Sequence, residues 1–141
     1  MNAIIFLIPL FFLIAFSGMW MGVIWFISRF GWVGLASFWR TTDIPTGMLY
    51  SSASGRIVAR YNHVLQIWLD DKGLFLEPIW LFKIGHERLL IPWEDVLNMK
   101  PTRILWQTGV RLELKNNQSF VLYGAVSAAL LELWTQKPAL E

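Results

Sequence analysis

The first 28 residues of this chain contain no Asp, Glu, Lys, Arg or His, and residues 3–28 read AIIFLIPLFFLIAFSGMWMGVIWFIS. That run exceeds the roughly 20 residues that cross about 30 Å of hydrocarbon. In lipid a backbone must satisfy its own hydrogen bonds, so one helix is predicted, and the run is too short for two complete spans. Pro9 is expected to kink this helix or set its first turn. Trp20 and Trp25 fall toward the other end, where amphipathic rings favour the headgroup level.

A cleaved signal peptide would need a basic n-region and an apolar core of about 7–15 residues. Neither is present, and Gly34-Leu35-Ala36 before Ser37 is a poor cleavage site. Residues 1–29 are therefore predicted to stay as a transmembrane anchor. Arg29 and Arg40 follow the run while only the α-amino group precedes it. Positive flanks mark the cytoplasmic side, which predicts a single-pass protein of the inner (cytoplasmic) membrane, with its N-terminus outside and its C-terminal domain in the cytoplasm. Between the two arginines, Phe30, Trp32, Phe38 and Trp39 are predicted to lie in the membrane interface. A tilted continuation of the helix is the alternative. Gly18 and Gly22 form a G-x-x-x-G with Ala15 on the same face, a surface that lets a partner helix approach closely; the plain alternative is a smooth patch against lipid.

Past Ser28 the composition is that of a globular domain rich in aromatics. All 12 basic and 10 acidic residues lie there, interspersed, for a net charge of +2. No basic run marks a nucleic-acid face. Cysteine is absent, which removes disulfides, thiolate metal sites and cysteine nucleophiles. Residues 30–46 read as interfacial segment and linker, the latter being TTDIPTG at 41–47. Residues 47–137 read as the domain. Strands are predicted at 48–53, 61–69, 73–77, 88–91, 96–100, 104–107, 110–115 and 119–123, with turns at 70–73 and Asn116-Asn117. In the cleanest strand Val110, Leu112 and Leu114 share one face, and Arg111, Glu113 and Lys115 the other. Residues 125–136 switch to helical spacing, with Val126, Ala129, Leu130, Leu133 and Trp134 on one side, and Pro138 is expected to stop the helix. The fold class is mainly β (α+β): a curled sheet or barrel of about seven strands with a C-terminal capping helix, preceded by one transmembrane α-helix.

Tyr61-Asn62, Gly73-Leu74-Phe75-Leu76, Phe82-Lys83-Ile84-Gly85-His86 and Leu89-Leu90-Ile91-Pro92-Trp93-Glu94 follow one another in this order. Together they resemble small bacterial pleckstrin-homology-like (PH-like) proteins of unknown function, in which GLYL, F-R-x-G-H and LLIPW runs recur in the same sequence. The resemblance covers about residues 47 to 134. It implies an orthogonal sandwich of about seven strands with a capping helix, and says little of function because superfolds host many roles. Phosphoinositide-binding members of the superfold cluster basic residues around the first hairpin. Here that region has only Arg56 and Arg60, enough to meet one phosphate but not a cluster.

No catalytic constellation is legible. His63 and His86 lack metal-type spacing and are expected to be structural. Ser51, Ser52 and Ser54 lack a G-x-S-x-G setting. Asp70-Asp71 reads as a turn, and Glu94-Asp95 as the start of a short helical turn. No cofactor, metal or small-molecule substrate is predicted. The excess of tryptophan is more informative, and Pro78-Ile79-Trp80-Leu81-Phe82 is the predicted exposed apolar feature, with three readings open: core, a membrane-facing patch, or a surface for docking a partner. The expected function is a non-enzymatic, membrane-anchored binding or assembly module whose partners are the bilayer and another membrane protein, as in an accessory subunit of a larger complex. The alternative is a lipid-headgroup module using Arg56, Arg60, Trp32 and Trp39.

Overall fold

A computed structural model of the chain describes residues 2–104 and 106–140. The uncharged run forms one helix, α1 (Asn2–Ser28), continuous through Pro9. It is the one described helix long and apolar enough to cross a membrane, and none of its most apolar window is buried by the rest of the chain.

The chain then turns at Arg29–Gly31 and starts a second helix, α2 (Trp32–Trp39). Gly31 is required at the turn, because a Cβ there would stand 2.6 Å from the Ile57 carbonyl oxygen. Helix α2 differs from the sequence expectation. Trp32, Leu35, Ala36 and Trp39 are buried in the core of the domain, so Trp32 and Trp39 are not rings dipped among headgroups. The reason is that the protein offers each indole a partner: Trp32 Nε1–H donates to the Glu87 carbonyl at 2.8 Å, and Trp39 Nε1–H to the Asp95 carboxylate at 2.8 Å. The segment packs as part of the domain and does not continue α1.

Seven strands follow: β1 (Met48–Ile57), β2 (Ala59–Leu69), β3 (Gly73–Pro78), β4 (Leu89–Pro92), β5 (Val96–Ile104), β6 (Gln107–Leu114) and β7 (Ser119–Tyr123). They form one antiparallel sheet in the order β4-β3-β2-β1-β7-β6-β5. The sheet's alternation is that of the sequence: Val110, Leu112 and Leu114 point inward while Arg111 is exposed. Ile104 and Gln107, read as the two ends of one strand, instead pair with each other across the β5–β6 ladder. Pro101 is tolerated inside β5 because β5 is the edge strand. Asn116 and Asn117 both take positive φ in the β6–β7 turn, a conformation asparagine adopts more readily than most residues.

Helix α3 (Ala125–Leu140) closes the fold and runs past Pro138, the expected stop, whose ring removes one donor from the helical hydrogen-bond ladder. Val126 and Leu130 are fully buried, while Leu133 stays 42% exposed at the rim of a groove. One continuous core joins α2, the sheet and α3.

Candidate functional site

The site is the junction of α1, α2 and the β3–β4 connection, and it begins with residue spacing on α1. Trp20, Ile24 and Ser28 recur every four residues and so share one side of the helix. Trp20 Nε1–H donates to the Leu81 carbonyl at 3.2 Å, and its ring meets Phe82 edge-on with centroids 5.2 Å apart. Ile24 and Ser28 are buried. Gly85 lies against Ser28: its φ is +75°, and a Cβ would approach Ser28 Oγ to 2.4 Å. Both facts demand glycine. The C-terminal part of α1 is therefore packed on the domain by residues 81–85.

Beneath this contact is a buried polar cluster. His86 Nδ1 faces the Ile84 carbonyl at 2.9 Å, which can only accept, so Nδ1 carries the proton. Nε2 is then an acceptor, and the Tyr61 hydroxyl donates to it at 2.8 Å. Trp32 packs edge-on to His86 and tilted to Tyr61. Burial pushes the His86 pKa down, the bond to Ile84 opposes this only in part, and burial pushes the Tyr61 phenol up. The pair is neutral and structural.

Glu77 is the second buried group, at 5% exposure on β3. Lys83 Nζ and Arg88 Nε each reach its carboxylate at 2.5 Å. Burial pushes this carboxyl up, but the bonds and charges of Lys83 and Arg88 outweigh it and hold it below the usual carboxylate range. Arg88 also donates to the Asp43 carbonyl at 2.8 Å, while the Thr41 N–H donates to the Arg88 carbonyl at 2.9 Å. At the far end Thr46 Oγ1–H donates to Asp70 at 2.8 Å. Residues 41–47 are thus stitched to the domain.

The residues singled out from sequence fall in different places. Gly18 and Gly22 are open, with nothing within 4 Å of an added Cβ. With Ala15 they lie about 150° around the helix from the Trp20–Ile24–Ser28 side at 100° per residue. Arg29, Phe30, Phe38 and Arg40 are exposed around the exit of α1; Arg29 stacks over Trp25 at 4.5 Å, and Arg40 meets Glu87 only at 3.9 Å with both side chains exposed. Pro78 is buried at the end of β3 and Ile79 partly so, Phe82 packs on Trp20, and Trp80 and Leu81 project outward. Arg56 and Arg60 oppose each other in the β1–β2 ladder. Arg60 donates to Asn62 and Gln107. His63 is held in the β1–β2 irregularity, its N–H donating to Ser54 Oγ at 2.9 Å. Among the described residues no three His, Asp or Glu side chains converge as a metal site requires.

Sequence reasoning missed Glu77, Lys83 and Arg88, the Tyr61–His86 pair and the Trp20–Ile24–Ser28 face. Two signals were available: a lone carboxylate inside the apolar strand Leu74-Phe75-Leu76-Glu77-Pro78, and a serine four residues after Ile24 in a run without charges. A separate apolar groove of about 510 Å³ lies between α3 and the β2–β3 turn, lined by Leu69, Trp93, Met99, Leu133 and Trp134. The chain matches no protein-family model, no curated protein and no solved structure among those with which it was compared.

Proposed function

We propose that this chain is a single-pass, membrane-anchored, non-enzymatic assembly module, an accessory subunit of a larger complex in the inner (cytoplasmic) membrane. On this reading α1 crosses the bilayer with its N-terminus outside, and a PH-like domain sits directly against the cytoplasmic face. The observation that carries it is the division of α1 into two sides. Trp20, Ile24 and Ser28 are engaged by the chain's own domain, while Gly18 and Gly22 on the far side have nothing near them. Small residues permit close helix approach in lipid, where packing rather than hydrophobicity drives association. The partner is accordingly another transmembrane helix.

The test is purification of the tagged full chain from its native membrane in mild detergent, beside the Gly18→Leu/Gly22→Leu double variant. A larger membrane protein should co-purify with the wild type and be lost from the variant, whose own yield should not change. Recovery of the wild type only as a lone monomer, across several gentle detergents, would overturn the reading.

A further inference from the structure

The connection between β3 and β4 carries an apolar tip that the rest of the chain leaves uncovered. Trp80 is 75% exposed, Leu81 43% and Ile84 38%. Exposure alone says little, but the position of this tip relative to α1 says more. The Leu81 carbonyl accepts from Trp20 and Phe82 packs on the same ring, so the tip is level with Trp20. Trp20 lies eight residues before Ser28, about 12 Å back along the helix axis at 1.5 Å per residue. The 27 residues of α1 span about 40 Å on the same rise, against about 30 Å of hydrocarbon. With the apolar N-terminal end of α1 set at the far boundary, the remaining roughly 10 Å stands in the headgroup layer on the C-terminal side, and Trp20, about 12 Å from that end, falls near the hydrocarbon boundary there.

We infer that the β3–β4 connection is a second, monotopic membrane contact, with Trp80 and Leu81 seated among the lipids at that boundary and Ile84, next to Gly85 at the level of Ser28, in the headgroup layer. The inference rests on the reading that α1 spans the bilayer. The occupant is lipid because the tip continues a surface that already faces it: Met19, Met21 and Val23, on α1 at the same level, are all about half exposed. The nearby charges are arranged to suit. Lys83, between Leu81 and Ile84, turns its amine back onto Glu77, which keeps a cation out of the apolar tip. Arg29, beyond Trp25, stays exposed at the level of the phosphates, where anionic headgroups attract it. An indole at such a boundary gains apolar contact while its N–H stays wet.

The chain has no cysteine, so single cysteines report without background. Full-length Leu13→Cys, Trp80→Cys and Asp71→Cys would each carry a polarity-sensitive fluorophore in phosphatidylcholine–phosphatidylglycerol vesicles. Position 13 is exposed near the middle of α1, and position 71 is exposed in the β2–β3 turn, at the opposite end of β2 from the residues that touch Gly31. Nitroxide high on the acyl chain should quench position 80 several-fold more than position 71, and deep nitroxide should quench position 13. Quenching of position 80 by aqueous iodide instead, with position 13 still quenched from within the bilayer, overturns the second contact and leaves the anchor standing. Shielding of position 80 from both quenchers means protein covers it, and overturns the inference too. A position 13 that no nitroxide reaches overturns the anchor and the inference together.

Discussion

The Tyr61 hydroxyl donates to His86 Nε2 across 2.8 Å at the point where the sheet, α2 and the β3–β4 connection meet. Tyr61→Phe keeps the ring and removes the only hydrogen described at that nitrogen. A buried acceptor left unsatisfied costs about 1–3 kcal/mol. The variant should unfold at correspondingly lower denaturant in detergent-solubilised full-length protein, monitored by near-UV circular dichroism. An unchanged midpoint would mean that the hydrogen bond contributes nothing net.

The same pair predicts a pH dependence. Burial lowers the His86 pKa below its ordinary value of 6.5, so near and below that pH the unfolded chain binds a proton that the folded chain excludes. Stability is then complete above the ordinary value and declines as pH falls from about 7 to about 5. Thermal midpoints of the wild type should drop across that window, and His86→Gln should flatten the drop. The Glu77 contribution is lost only at more acidic pH, because its carboxyl is held below 4.5. A wild-type curve that stays level to pH 5 (about the end of the histidine range) would contradict the assignment.

Glu77→Gln leaves Lys83 and Arg88 without their shared carboxylate. Breaking a buried pair typically costs 3–5 kcal/mol. Here the Lys83 side chain is 49% exposed and that of Arg88 28%, so water takes up part of the loss and about 2 kcal/mol is expected. Arg88→Met should cost more than Lys83→Met, since Arg88 also holds the Asp43 carbonyl. Chemical denaturation of the three variants gives the ranking, and a larger loss for Lys83→Met would refute it.

Gly85→Ala tests the contact between helix and domain. Its φ of +75° costs an L-residue about 1–2 kcal/mol, and the clash with Ser28 adds to that. Ser28→Gly should recover the clash portion but not the backbone portion, so a double-mutant cycle should show coupling between the two positions. Strict additivity would mean that the loop and α1 do not touch in solution.

Much of this architecture is legible in residue order. The uncharged run, the alternation through Val110, Leu112 and Leu114, and the Asn116-Asn117 turn each carry a local signal strong enough to survive tertiary context. Trp32 and Trp39 do not. A headgroup layer and a protein core both accommodate a ring with one hydrogen-bond donor, and only the Glu87 carbonyl and the Asp95 carboxylate, 55 and 56 residues downstream, tell them apart. The candidate site was illegible for a related reason: Trp20 and Leu81 are 61 residues apart, and nothing in either segment names the other. The strand predicted at residues 96–100 runs on through Pro101 to Ile104, and sequence does not disclose that β5 is an edge, where proline is tolerated.

The short turn between α1 and α2 has a mechanical consequence. Only Arg29–Gly31 separates α1 from α2, whose residues lie in the domain core, and Trp20, Ile24 and Ser28 are held against the domain, so there is no slack in which the domain could swivel while α1 stayed still. The domain is a crank fixed to a shaft: turning it turns α1 about its own axis, and the Gly18–Gly22 side keeps a fixed bearing relative to the domain surface.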